Sequence, residues 1–212
     1  MNNVMEAYNW QLAQMWLGKI KDIIEPGKIY VTDNIKGYGR YDTFGMLADY
    51  LIMKGHKAVL YMCSNNKAKD VHNNILQRIE THMYEQAFSP DKENDERSFD
   101  EICDEALKLF KSQCDNIHFK AIDDRDVELL SDDNGHNKYN VILIEHFRLL
   151  QSRHTTYKSM SQELYKYCVQ YLHDMAKKYG YVIIVGMHIN NTEEWLNNWI
   201  QIILFWPIPI NL

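Results

Sequence analysis

The sequence is poor in cysteine, proline and glycine, with 4, 4 and 9 among 212 residues. So little proline and glycine excludes collagen-like and low-complexity chains. The cysteines (Cys63, Cys103, Cys114, Cys168) form no CxxC pair and no zinc spacing, which excludes a zinc finger and a disulfide framework. They read as free, mostly buried thiols of a reducing compartment. No apolar run reaches the ~18–20 residues that span a bilayer, and the longest, 200–209, reads as a strand and its exit. The N-terminal MNNVMEAYNWQLAQ has neither a basic n-region nor an apolar h-region. No signal peptide is expected, and the chain reads as cytoplasmic with no membrane partner. The nine histidines show no HExxH or paired spacing, so no metal-ligating set is expected. An excess of positive charge is also missing. The formal net charge is −6, which leaves no global basic footprint for nucleic acid.

What is present is the ordinary mixture of a globular protein, 46% hydrophobic and 25% charged. The length fits one domain, 1–212, large enough for a sizeable core. Residues 1–25 read as a helical lead-in, with Met5, Tyr8, Leu12, Met15, Trp16 and Ile20 in helical rhythm. Pro26-Gly27 stops that helix and opens a strand over Ile29–Thr32. Helical spacing returns in Phe44, Leu47, Ala48, Leu51 and Ile52, with Gly55 as the cap. Ala58–Cys63 is a continuous apolar run that suits a doubly buried strand. Two helices follow, marked by Val71, Ile75, Leu76 and Ile79, then by Ile102, Ala106, Leu107 and Phe110 on one face. A polar loop over Ser89–Arg97 separates them. Ile117–Ile122 reads as a short strand and Ser131–Lys138 as a loop. Val141–Ile144 is the strongest buried-strand signal in the chain. A long helix carries Met160, Leu164, Cys168, Leu172 and Met175, and strands close the chain at Val182–Val185 and Ile200–Trp206. Strands alternating with helices predict an α/β fold, a mostly parallel sheet flanked by helices.

Three segments at strand ends carry the chemistry. Asn34-Ile35-Lys36-Gly37-Tyr38-Gly39-Arg40-Tyr41 lies between a strand and a helix, the layout of a P-loop whose backbone N–H groups cradle phosphates. Two glycines in such a turn are also read as turn chemistry alone. Val141-Ile142-Leu143-Ile144-Glu145 describes a Walker-B-type strand, whose carboxylate orders magnesium and water. The plain alternative is a solvated terminal acid. Ile183–Asn190 is a third strand ending in polar residues. Ligands of open α/β sheets sit beyond the carboxyl ends of the strands, so all three segments are expected to face one edge. Asp123, Asp124 and Asp126 read as a solvated loop rather than a carboxylate site. Trp195, Trp199 and Trp206 have the chemistry to stack bases, but Trp199 and Trp206 belong to or border an apolar strand and read as packing.

In order and spacing these segments resemble the RecA-like motor domain of DnaB-type replicative helicases, over roughly residues 10–206. That family has a Pro-Gly turn, a strand and a loop like GRPGMGKT, on which Asn34–Tyr41 falls without a gap from Pro26 to Val59. Its Ser-Leu-Glu-Met pattern is matched by Cys63-Ser64-Asn65-Asn66, and its LIVIDYLQLM by residues 141–150. Its Ser-Gln-Leu-Asn pattern is matched by Met187-His188-Ile189-Asn190. The resemblance implies a single RecA-like P-loop domain with ATP or ADP at Asn34, Gly37, Gly39, Arg40 and Tyr41. It implies Glu145 as the Walker-B-like acid and His188 as a sensor-like residue.

The departures from that pattern set the functional expectation. Arg40 stands at the lysine position, and its planar fork does not replace a compact ammonium. Tyr41 stands where a small hydroxyl would hold magnesium; a register with gaps brings Thr43 nearer that role. Asn65 stands in place of the catalytic glutamate and cannot act as a base. The stretch after Trp206 leaves no room for the strands that bear the family's trans-acting arginine, and Asn191–Asn198 is a reduced DNA-facing loop with Glu193 and Glu194. No confident catalytic residue and no metal ligand are therefore expected, with Glu145 the one candidate for a metal. ATP or ADP is expected to bind weakly, with a doubtful role for magnesium. The implied protein is a pseudo-ATPase that self-associates or joins a replicative helicase or other replication protein. DNA binding is expected to be weak and non-specific. The alternatives are a divergent working helicase ATPase and a nucleotide-free interaction module.

Overall fold

The computed structural model describes residues 25–33, 43–53, 59–63, 65–87, 97–121, 125–132, 140–154, 161–187 and 201–203. The described strands are β1 (Lys28–Asp33), β2 (Val59–Cys63), β3 (Ile117–Ala121), β4 (Val141–Ile144), β5 (Val182–Met187) and β6 (Gln201–Ile203). They form one six-stranded sheet in the order β3-β2-β4-β5-β1-β6, and every pairing is parallel. Parallel strands need long crossovers, and helices supply them: α1 (Thr43–Met53), α2 (Asn65–Ala87), α3 (Phe99–Cys114) and α5 (Gln162–Tyr179). A short α4 (Leu129–Asp132) and a 3-10 turn (Phe147–Leu149) lie before and after β4.

The sheet separates two apolar layers because successive strand residues point to opposite faces. On one face Tyr30, Val141, Leu143, Val182 and Ile184 meet α1, α2 and α3 through Phe44, Leu51, Ile75 and Ile102. On the other, Ile29, Val31, Ile142, Ile144, Ile183 and Val185 meet α5 through Leu164, Cys168, Leu172 and Met175. All of Val141–Ile144 is buried, which is why this strand reads as unbroken apolar sequence rather than alternation.

Local signals place the helix ends. Ser98 and Glu101 close a capping box on α3, each satisfying a backbone N–H that the helix leaves open. Ser161 caps α5, and Gly180 ends it at a φ of 70°, a left-handed turn that glycine adopts without a Cβ penalty.

The α/β fold and the strands expected at 29–32, 58–63, 117–122, 141–144 and 182–185 are present, with ends shifted by a residue or two. Three expectations are corrected. Leu107 is 48% exposed, because Ile102 and Ala106 alone are buried on α3 and Leu107 lies off their line. Leu76 is half-buried; Val71, Ile75, Ile79 and Met83 make the buried stripe of α2. Ser131 and Asp132 belong to α4 rather than to a loop. The lead-in, Gly55, Ser89, Asp123, Asp124, Met160, Asn191–Asn198 and Trp206 lie outside the described residues.

Ile142→Ala is expected to cost about 2–5 kcal/mol, since the side chain is fully buried in the central strand. Leu107→Ala is expected to stay within about 0.5 kcal/mol. Urea denaturation of the two variants checks both, and a large loss at Leu107 would mean that α3 is packed differently.

Candidate functional site

A wholly parallel sheet brings the carboxyl end of every strand to one edge. The register makes this edge level: Asp33 pairs with Met187, Val185 with Ile144, and Ile144 with Met62. The strands β2, β4, β5 and β1 are neighbours in that order. The chain segments that begin at Asn34, Ser64, Glu145 and His188 therefore leave side by side. The glycine loop residues Asn34, Gly37, Gly39, Arg40 and Tyr41, and His188, lie outside the described residues. Of the expected site, the structure places Glu145 and the backbone of Asn65, which opens α2 on this edge.

Two adjacent strands send their chains to opposite faces of the sheet. From β2 the chain enters α2, which packs on the first apolar layer. From β4 it passes through Phe147–Leu149 to α5, on the second layer. Such a divergence is a topological switch point, and in open α/β sheets the ligand crevice lies there.

Glu145 stands at this point. It follows the fully buried strand β4 and is itself 3% exposed. A carboxylate so deep requires a compensating charge, and Lys67, in the first turn of α2, provides it through an ion pair to Oε1. The Lys67 side chain is one-third exposed, so its stem crosses from the edge to the buried acid. His146 brings Nε2 to 3.5 Å from the same oxygen. This geometry has a direct chemical consequence. An acid of a Walker-B-type strand acts by holding magnesium and its water, and this one already carries a monocation on Oε1. The described residues do not fit a divalent metal at that carboxylate. Among them no group of three or more His, Cys, Asp or Glu is gathered either.

The sequence reading missed Lys67. Its signal is positional: it lies two residues after Asn65, in the turn that leaves the strand next to β4. The stretch Asn65–Asp70 reads simply as a polar helix start until β2 and β4 are known to be neighbours.

A second polar cluster lies behind the edge. The chain leaving β3 runs beside the chain leaving β4, with Val127 N–H donating to Gln151 O at 3.0 Å and Gln151 N–H to Arg125 O at 2.8 Å. Asp126 belongs to this bridge with Gln151. Next to it Glu128 is 3% exposed and accepts hydrogen bonds from Ser152 Oγ, Tyr167 Oη (2.9 Å) and Arg153 N–H (3.3 Å). Burial raises its pKa, but the bonds from Ser152, its own backbone, Tyr167 and Arg153 outweigh that and hold it below the usual value. Burial, with the charge of Glu128, pushes the Cys168 thiol up to about 12. Glu128 thus fastens the loops after β3 and β4 to α5. Of the cysteines, Cys168 is buried, while Cys103 and Cys114 are free and only half-buried.

No family model and no curated protein matches the sequence. Among solved structures, an ATPase domain of a DnaB-like helicase matches over 76% of this chain and 57% of its own, at 11% identity and a TM-score of 0.51. A DnaB-like replicative helicase, solved for its interactions with primase, matches over 77% of this chain and 39% of its own, at 12% identity and a TM-score of 0.48. The chain spans little more than half the length of the first and less of the second. The first likeness shows the fold, that of a RecA-like helicase ATPase domain. No helix among the described residues is long and apolar enough to cross a membrane.

Lys67→Met is expected to cost about 2–3 kcal/mol, less than a fully buried pair because the lysine reaches water. In a Glu145→Gln background the same change is expected to cost under about 1 kcal/mol, and a double-mutant cycle in urea measures the difference. Independent penalties would mean that the two groups are not coupled.

The depressed pKa of Glu128 stabilises the fold above the carboxylate's unfolded value of about 4.5, and that stability is lost as pH falls through the lower folded value. Glu128→Gln is expected to be less stable at pH 7 and to lose less on acidification, read from denaturation midpoints between pH 7 and pH 3. Cys168 is expected to resist alkylation at pH 8 in the folded protein and to react once it is unfolded, because the thiolate is the reactive form. Mass spectrometry of the labelled peptides distinguishes it from Cys103 and Cys114.

Proposed function

We propose that this chain is a degenerate relative of the replicative-helicase motor, a single RecA-like domain over 1–212 with 1–25 as its lead-in. It binds ATP or ADP weakly, hydrolyses it poorly or not at all, and serves as a binding or assembly component in DNA replication. The observation that carries this reading is Glu145. The acid stands at the carboxyl edge, at the switch point between β2 and β4, with the Lys67 ammonium on it.

The resemblance supplies the rest. Gly37 and Gly39 retain a backbone cradle for phosphate oxygens, and Arg40 supplies a positive charge. Phosphoryl transfer needs a lysine and magnesium on the phosphates, a residue that orients water, and an arginine that stabilises the transition state. Arg40, Tyr41 and Asn65 each weaken one of these, and His188 retains only a hydrogen bond. Self-association or pairing with a helicase or another replication protein follows from the role proposed, as does weak and salt-sensitive contact with DNA. The ion pair on Glu145 weighs against a working ATPase, in which that acid holds metal.

Steady-state ATP turnover by the purified protein tests this reading. The natural sequence is expected to show none above background, and Asn65→Glu with Tyr41→Thr to recover little. Turnover at a helicase-like rate that Glu145→Gln abolishes would sink it.

A further inference from the structure

We infer that Lys67 is a built-in counter-cation for Glu145. Its ammonium takes the place where a phosphate site of this fold would hold a divalent metal, and the edge accepts a phosphate-bearing ligand without one. The ligand class rests on the nucleotide reading above; the cation exchange does not.

The placement follows from the sheet. Glu145 is the first residue beyond β4, between β2 and β5, and Lys67 is the third residue of the helix that β2 feeds. Because α2 and α5 depart to opposite faces, the lysine reaches the acid across the opening of the crevice and not from behind it. The carboxylate side chain is 4% exposed and the lysine 33%, so the positive charge is the part of the pair that meets solvent.

Charge and tethering decide between lysine and metal. Magnesium gives up its water reluctantly and is usually held by one or two carboxylates together with substrate phosphates. Here a single carboxylate is engaged by an ammonium that the chain holds at high effective concentration, so an incoming divalent ion has to displace a group that never diffuses away. An ammonium also brings one positive charge where magnesium brings two. The pair leaves Glu145 compensated without drawing a metal to the edge. Lys67 is therefore a positioning residue, acting on phosphate ligands through the state in which it holds Glu145.

Manganese(II) binding to the full chain, read by electron paramagnetic resonance without nucleotide, tests the exchange directly. The natural protein is expected to bind manganese no differently after Glu145→Gln. Lys67→Gln, which keeps a hydrogen-bonding group, is expected to gain a site at least about tenfold tighter than any Glu145-dependent binding in the natural chain. Adding Glu145→Gln is expected to remove that site, and Lys67→Arg is expected to gain none. Glu145-dependent manganese binding by the natural chain overturns the inference, and so does the absence of a gained site in folded Lys67→Gln. The first comparison needs no lysine variant, so a Lys67→Gln that fails to fold leaves the inference exposed to refutation. A parallel calorimetric titration with ATP, in magnesium and in chelator, addresses the nucleotide reading. Equal affinity in the two supports both proposals. No ATP binding at all would remove the nucleotide reading and leave the manganese result to judge Lys67.

Discussion

A carboxylate at the end of a fully buried central strand must be compensated, and around Glu145 this need fixes how the neighbouring elements are arranged. The ion pair with Lys67 joins the exit of β4 to the first turn of α2. Those two segments otherwise part toward opposite faces of the sheet. Buried ion pairs are weak evidence for stability, since desolvation offsets most of the attraction, but removing one partner leaves an isolated charge and is costly. The pair is best understood as a constraint on what else can approach the acid.

The rest of the fold makes that constraint matter. Five parallel ladders bring β2, β4, β5 and β1 to one level edge, and the two apolar layers hold the strands there from both sides. Behind the edge, Glu128 and the bridge between Asp126 and Gln151 pin the loops after β3 and β4. The two buried acids thus do different things. Glu128 is satisfied by hydroxyl and backbone donors and holds loops, whereas Glu145 is met by a lysine at the place where this class of sheet binds ligands.

Much of the architecture was legible because buried parallel strands announce themselves as apolar runs. Val141–Ile144 and Val182–Val185 need no context to be read as strands. Leu107 was misread since helical spacing marks a face without saying how wide its buried stripe is, and on α3 the stripe ends at Ile102, Ala106 and the half-buried Phe110. Glu145 was legible as the acid ending a strand. Its lysine was not, because a contact between residues 67 and 145 depends on β2 and β4 being neighbours, which no local pattern encodes. Glu128 escaped notice for the same reason: its donors Ser152, Arg153 and Tyr167 are distant in sequence.

The central claim is that the acid of the carboxyl edge is neutralised from within and not by metal. A crystal structure of the protein soaked with ATP and manganese, with anomalous data collected for manganese, tests it most directly. The account predicts Lys67 Nζ on the Glu145 carboxylate and no anomalous peak within coordinating distance of it. A manganese peak bound to Glu145, with Lys67 displaced toward solvent, would contradict the account.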